Sequence, residues 1–266
     1  VKTPRFSIVT VCLNAGSALR ETALGVLEQE ADGFEYLVHD GGSSDGSLDG
    51  LPDDPRIRVR VESDDGIYDA MNRAARAATG EYLCFLNAGD RFPGPDTLAK
   101  VAAALETCSP PVDLLYGDAF DERSGKRRRA APILSRKSLF LDGVCHQSQW
   151  IRREAFLELG GLDPAFRFRA DQELLLRLVE AHRPTRYLPE VLSLYDGRGF
   201  SARKENRAAL DAEWAELRRG RYTRSERLLW GLRAAAGGLW WKRLLLDLAM
   251  RWCPGLLERR RARRAD

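Results

Sequence analysis

The chain has 266 residues, 44% of them hydrophobic, and 42 Lys and Arg against 39 Asp and Glu, a formal charge of +3. That apolar fraction can bury a sizeable core and excludes wholesale disorder, and the length suits one large α/β domain with or without an appendage. The charge is unevenly placed: residues 218–266 carry 14 basic and 4 acidic side chains, whereas residues 1–217 carry 28 and 35. An acidic body (residues 1–217) and a basic tail (residues 218–266) therefore need separate explanations. Five scattered cysteines without a CxxC pair, and three histidines, argue against a zinc site of the usual ligand spacing and for a reducing compartment. No stretch approaches the roughly 18 uncharged apolar residues of a membrane span, and Phe6–Leu13 reads as a strand rather than a signal region. The expected location is the cytoplasm, or the inner face of the cytoplasmic membrane without crossing it.

In chain order, Phe6–Leu13 is apolar and β-rich, as a strand covered on both faces would be, and Asn14-Ala-Gly16 breaks it. Ala18–Glu30 places Leu19, Ala23, Val26 and Leu27 at helical spacing. Phe34–His39 is a second strand, ending in Asp40-Gly-Gly-Ser-Ser-Asp-Gly46. Ile57–Glu62 reads as a third strand, and Tyr68–Thr79 as an alanine-rich helix stopped by Gly80. A fourth strand, Glu81–Leu86, runs into Asn87-Ala-Gly-Asp90. Such alternation argues for a mostly parallel sheet with helices on both faces. Ligands bind such sheets beyond the carboxyl ends of the strands, where Asn14, Asp40–Asp45, Asp64–Asp65 and Asn87–Asp90 all sit. Turn formation explains any one of these clusters well and all four together poorly.

The middle section is less periodic. Asp113–Asp118 reads as a strand, and Lys126-Arg-Arg-Arg129 as a solvated hairpin tip in preference to a nucleic-acid contact. Cys145–Ile151 is strand-like, Arg153–Leu159 is a helix stopped by Gly160-Gly161, and Ala170–Ala181 is an amphipathic helix.

Several residues are equipped for chemistry. The loop Asp40–Gly46 offers acceptors and donors to a base or ribose, with glycines that permit close approach. It is no Walker loop, since no Gly-Lys-Ser/Thr follows, and GxGxxG is missing at the first strand. Asp90 at a strand end suits either a turn or a hard divalent cation that also grips a diphosphate, because Mg²⁺ or Mn²⁺ needs only one or two protein carboxylates. Asp171 opens a helix, as an ordinary N-cap would, or faces the crevice that holds Asp90. His146 fits a buried, hydrogen-bonded core position.

The blocks Ser7-Ile-Val-Thr-Val-Cys-Leu-Asn14, Asp40-Gly-Gly-Ser-Ser-Asp-Gly46, Asp65-Gly-Ile-Tyr-Asp-Ala-Met-Asn72, Leu86-Asn-Ala-Gly-Asp90, His146-Gln147 and Ala170-Asp171 resemble, in this order, a family 2 glycosyltransferase with the GT-A fold. The resemblance covers roughly residues 5–200 and points to a bacterial subgroup acting on polysaccharide, lipopolysaccharide or glycolipid acceptors. It implies that Asp40 contacts the nucleobase, with Thr10, Asn14, Asp64 and Asn72 lining the same pocket. Asn87 and His146 fall in matching blocks and are counted with the nucleotide-sugar contacts. Asp90 matches the last carboxylate of the DxD-type motif and implies bound Mn²⁺ or Mg²⁺, although Ala88 stands where an earlier aspartate is usual. Asp171 aligns with the general base, with Ala170 replacing a common Glu. Gly197-Arg-Gly-Phe-Ser201 matches a loop over the donor diphosphate, with Arg198 as its phosphate contact. The implied reaction is inverting transfer from a UDP- or dTDP-sugar to a hydroxyl of a lipid-linked saccharide or glycolipid. Without multiple membrane spans or a Gln-x-x-Arg-Trp motif, the expected reaction is non-processive.

The tail concentrates Trp230, Trp240, Trp241 and Trp252 among leucines, with Arg243, Asp247 and Arg251 at helical spacing. This pattern suits an amphipathic helix on an anionic membrane, or one packed on the catalytic domain or on a second subunit in a homodimer. Other readings of the whole chain are a catalytically silent membrane-surface assembly relative, supported by Ala88 and Ala170, and a sugar nucleotidyltransferase, which lacks its basic triphosphate loop here. A nucleic-acid partner has the least support, since the tail belongs to no recognisable module.

Overall fold

A computed structural model describes residues 4–197, 199 and 203–236. The elements are β1 (Phe6–Cys12), α1 (Ser17–Leu27), β2 (Phe34–Asp40), β3 (Ile57–Val61), α2 (Ile67–Ala77), β4 (Tyr82–Phe85), α3 (Thr97–Glu106), β5 (Leu114–Asp121) and β6 (Lys126–Arg128). They continue with α4 (Arg136–Leu141), β7 (Gln149–Arg152), α5 (Arg153–Glu158), α6 (Ala170–Glu180), β8 (Thr185–Tyr195), α7 (Arg207–Arg221) and α8 (Arg224–Ala236). The chain divides into two compact units, Val1–Leu217 and Arg218–Asp266.

In the first unit one sheet runs β3-β2-β1-β4-β7-β5-β6, with β8 also paired to β5. The pairs β1/β2, β1/β4, β2/β3 and β5/β8 are parallel. Strand β7 is antiparallel to both β4 and β5, and β6 returns antiparallel along β5. Strands β1 and β2 are buried almost throughout, which is why their sequences are apolar runs rather than alternations. The chain steps outward from β1 to β2 to β3, then crosses back through α2 to β4 on the other side of β1. Strand order thus reverses at β1, and the loops after β1 and β4 flank the resulting crevice.

The core is welded across this reversal by Trp150 of β7. Phe6 meets its ring edge-on at 5.1 Å, and Phe92 stacks on it at 5.8 Å. Leu19, Ala23 and Val26 of α1 and Leu98 and Val101 of α3 cover the same side. Gly80 is required where the chain enters β4, since a Cβ there would lie 2.6 Å from the Ser7 amide nitrogen.

Several elements escape the sequence reading. Helices α3, α4 and α7 and strand β8 were not expected, and within the strand expected over Cys145–Ile151, residues His146–Ser148 form a short 3-10 turn. Strand β8 is half exposed and irregularly patterned, so it carries little period-two signal. The basic hairpin exists, but it is not uniformly solvated: the Arg127 guanidinium donates to the fully buried Asp118 carboxylate at 2.6 Å. In the second unit, Thr223 and Glu226 cap the start of α8, and the Tyr222 and Trp230 rings meet edge-on at 5.8 Å. Leu228 and Leu229 on α8 are exposed.

Thr10 is wholly buried in β1, where its hydroxyl donates to the Leu86 carbonyl at 2.6 Å and accepts from the Tyr36 hydroxyl at 2.9 Å. It therefore ties β2, β1 and β4 together across the centre of the sheet. Thr10→Val should leave the Tyr36 hydroxyl without its acceptor and lower stability by about 1–3 kcal/mol in urea denaturation. An unchanged midpoint would show that this bond carries no weight.

Candidate active site

The loops at the carboxyl ends of β1, β2 and β3 are knit into one rim. Asn14, at a left-handed φ of 52°, accepts from the Ser44 amide at 3.0 Å, and its own amide donates to the Ser43 hydroxyl at 2.7 Å. Asp45 takes the Gly16 amide at 2.9 Å. Asp40 ends β2 completely buried and accepts from the Ser43 amide at 2.7 Å and the Gly42 amide at 3.0 Å. Burial would raise its pKa, but the Ser43 hydroxyl and these amides outweigh burial and hold it below the usual carboxylate value. Asp64 lies against this rim, with one oxygen 2.8 Å from where a Cβ on Gly41 would sit and 3.6 Å from Nε2 of buried His39. A side chain at position 41 would displace the Asp64 carboxylate from this place.

The loop after β4 is anchored from α1. The Thr22 hydroxyl donates to the Asp90 carbonyl at 2.8 Å and accepts from the Gly89 amide at 2.9 Å. This clamp turns the Asp90 side chain inward, where the Gln147 side-chain amide donates to it at 2.9 Å. Burial pushes the Asp90 pKa up to about 7; Gln147 lowers it, and the nearby charge of Asp196 raises it again. Beside it the Asn87 amide nitrogen lies 3.0 Å from Nε2 of His146, which leaves the Asn87 amide oxygen buried without a partner. Burial lowers the His146 pKa against the opposing pull of Asp171, so His146 is a neutral neighbour of both groups.

Asp171 is the second residue of α6, and Arg169 occupies the cap position with no side-chain cap bond. The capping role open to Asp171 in the sequence is therefore not the one it plays. One carboxylate oxygen is 3.3 Å from the Gln172 amide, and the other is buried with no hydrogen-bond partner. It borders a cavity of about 20 Å³, room for one water, shared with Tyr68, His146 and Gln149. Glu213 of α7 accepts the Arg167 and Phe168 amides, at 2.7 and 2.8 Å, and so fixes the approach to α6. The Arg169 guanidinium lies 5.0 Å over the Trp214 ring.

The structure thus brings Asn87, Asp90, His146 and Asp171 together, and sets Asn14, Asp40 and Asp64 on the adjoining rim. Two expectations need correction. Thr10 does not line the pocket, because its hydroxyl is committed inside the sheet. Asn72 does not either: buried on α2, it exchanges two bonds with the Leu162 backbone, at 2.6 and 2.8 Å. Arg198 and Ser201, like the tail beyond residue 236, lie outside the described residues. The sequence reading missed Gln147 as the partner of Asp90, and Tyr68, whose hydroxyl bonds the Ala170 backbone beside the base candidate. Both stood inside motif blocks, flanked by residues of louder chemistry.

With this geometry in view, comparisons with known proteins converge. The sequence model described as Glycosyl transferase family 2 matches residues 7–160. A PGL/p-HBAD biosynthesis glycosyltransferase of Mycobacterium bovis is 35% identical over 199 residues, covering 73% of this chain and 77% of that protein. An O-antigen biosynthesis protein of Myxococcus xanthus is 31% identical over 217 residues, 77% of this chain but 17% of its own length. Among solved structures, the mannosyltransferase PcManGT of Pyrobaculum calidifontis, in complex with GDP-Man and Mn²⁺, superposes with a TM-score of 0.62 at 20% identity, over 96% of this chain and 82% of that one. S. aureus TarS in complex with UDP-GlcNAc gives a TM-score of 0.61 at 16% identity, over 73% of this chain and 59% of its own. Strand order, loop placement and sequence agree: the chain has the GT-A fold and belongs to glycosyl transferase family 2.

Proposed function

We propose that this chain is an inverting, non-processive, metal-dependent glycosyltransferase. It moves a sugar from a nucleotide-diphosphate donor, UDP- or dTDP-linked, to a hydroxyl of a lipid-linked saccharide or glycolipid. The observation that carries the reading is the unpartnered Asp171 oxygen, aimed into a water-sized cavity in a site that also gathers Asp90. The complexes of TarS with UDP-GlcNAc and of PcManGT with GDP-Man support a nucleotide-sugar donor, and the PGL/p-HBAD and O-antigen relatives support a glycolipid or polysaccharide acceptor.

The residues around Asp90 fit a hard divalent cation. Among the described residues no cluster of three or more His, Cys, Asp or Glu converges, but Mg²⁺ and Mn²⁺ take one or two carboxylates and complete their shell with phosphate oxygens and water. Asp90 is a buried carboxylate whose pKa burial raises, and the orphaned Asn87 oxygen lies alongside. Asp90, assisted by Asn87 and Asp196, would hold the ion. A bound cation supplies electrostatic stabilisation to the charge that develops on a leaving diphosphate.

This chain's own groups do the rest. An acceptor hydroxyl is a poor nucleophile at neutral pH, and Asp171, half-buried with one carboxylate oxygen unpartnered, accepts its proton as the new C–O bond forms and the bond to the leaving diphosphate breaks. Tyr68 and Glu213 fix the segment that carries Asp171, so the base is held ready before the acceptor arrives. His146, neutral and hydrogen-bonded to Asn87, fills the space between base and cation site without adding a competing charge. With Asp171 as the base, direct displacement of the diphosphate by the acceptor hydroxyl inverts the anomeric carbon.

A thermal-shift screen of UDP-, dTDP- and GDP-sugars with Mn²⁺ identifies the donor. With that donor, Asp171→Asn should retain binding and lose transfer by about 10²–10⁴-fold, the size of general-base loss. Near wild-type turnover would remove Asp171 from the role.

The titration of Asp90 sets a pH dependence of known sign. Its pKa is raised to about 7, so below neutrality a proton occupies the carboxylate that the cation needs. Mn²⁺-dependent nucleotide affinity should fall by up to about tenfold per unit below pH 7, and level off above it. Asp90→Asn should weaken and flatten this profile in calorimetric titration. An identical profile in the variant would place the metal elsewhere.

The chain is further proposed to act at the inner face of the membrane. Among the described residues no helix is long and apolar enough to cross one, and α8 exposes Leu228 and Leu229 beside Arg224 and Arg227. Flotation with anionic liposomes is the expected result. A stable dimer in light scattering, with no flotation, would assign this face to a second subunit instead.

A further inference from the structure

A second and larger cleft, about 200 Å³, lies apart from the cavity beside Asp171. One wall is Arg128, Arg129 and Ala130, at the end of β6; the other is Asp142, Val144 and Cys145, the segment that leads into His146. The basic run of the hairpin is therefore divided by function. Arg127 is structural, bonded to Asp118 and to the Pro189 carbonyl. Arg128 instead bonds the Tyr195 hydroxyl and faces the cleft near Cys145.

Three contacts place this cleft next to the reacting groups. Gln172, the neighbour of Asp171, donates to the Val144 carbonyl at 3.1 Å. Its side-chain oxygen, buried and without a partner, lies 2.7 Å from where a Cβ on Gly143 would stand. Cys145 is common ground: burial pushes its thiol up to about 11, Arg128 pulls it down, and the charges of Asp171 and Asp90 push it up. The thiol stays neutral at physiological pH, so it neither repels an anion nor cancels Arg128.

The surroundings are otherwise acidic, with Asp90, Asp121, Asp142, Asp171 and Asp196 nearby. An anionic substrate approaching the base would be repelled, unless a local cation received it. Guanidinium groups present planar, paired donors to oxyanions and remain charged at every working pH. We propose that this cleft is an acceptor subsite, in which Arg128, with Arg129 beside it, binds an oxyanion (phosphate or carboxylate) carried by the acceptor saccharide. The Asp142 carboxylate on the opposite wall accepts from the sugar's hydroxyls. The proposal rests on the glycosyltransferase reading of Asp171 and Asp90, and it narrows the acceptor to a charged saccharide.

The test uses the full chain with its donor site filled by whichever of UDP, dTDP or GDP binds with Mn²⁺. Inorganic phosphate, glucuronate and glucose are then titrated by calorimetry or NMR. Phosphate or glucuronate should bind in preference to glucose, Arg128→Gln should weaken that anion by at least about tenfold, and Arg128→Lys should recover part of the loss. Which anion responds identifies the acceptor's charged group. Equal binding of glucose and glucuronate without phosphate binding, or anion affinity unchanged in Arg128→Gln, would overturn the subsite. So would Arg128-dependent binding to anionic vesicles alone, which would make the cleft a membrane contact. Lost nucleotide affinity in Arg128→Gln would reassign the residue to the donor diphosphate and also overturn it. If no nucleotide binds the wild-type chain, the glycosyltransferase reading itself fails, a result separate from every anion outcome.

Discussion

The hydrogen bond from Gln147 to Asp90 joins the two halves of the catalytic unit at the point where both are needed. Asp90 belongs to the loop after β4, the last strand of the parallel half, and Gln147 to the turn before β7, the antiparallel strand that opens the other half. A neutral amide is the partner, not an arginine or lysine, so the carboxylate is held in place while its charge remains uncompensated. Burial then makes that charge costly, which raises the Asp90 pKa to about 7. Thr22 beneath the loop and Asn87 beside it keep the carboxylate from turning toward solvent.

The same logic orders the rest of the site. Where a polar group has to be rigid, it is saturated by backbone partners: Asp40 on its own loop, Asn72 on Leu162, Glu213 on Arg167 and Phe168. The groups to which the proposals give chemical roles keep an open valence: Asp171 with one bare oxygen, Asn87 with a bare amide oxygen, Arg128 facing a cleft.

That distinction also explains what could be read from the sequence. Strands β1 to β4 were legible because parallel strands buried on both faces are written as apolar runs ending in Gly, Asp and Asn. The second half was not, since β7 is four residues long and β8 is half exposed, with Pro189 within it. Asp90 and Asp171 were assigned their roles from strand-end and helix-start positions together with the family resemblance, and the structure brings the two into one neighbourhood. Thr10 and Asn72 were misassigned because a sequence shows that a hydroxyl or amide is present but not that a backbone carbonyl already holds it. Tyr68 and Gln147 were passed over for the opposite reason: each is an ordinary residue whose importance comes only from what folds against it.

Helix α2 carries the end of the motif most specific to the family, and two of its polar side chains are spent on the fold. Tyr68 meets the Ala170 backbone, and Asn72 grips Leu162, so this helix holds both ends of the segment that delivers Asp171. The position of Asp171 is thus inherited from residues about a hundred places earlier in the chain. Domain exchange between relatives is constrained accordingly. A chimera that combines the first half of this chain with the second half of another family member would seat a foreign α6 on native anchors. To preserve the placement of Asp171, residues 66–77 and 160–171 must be exchanged as one unit, however far apart they stand in the sequence.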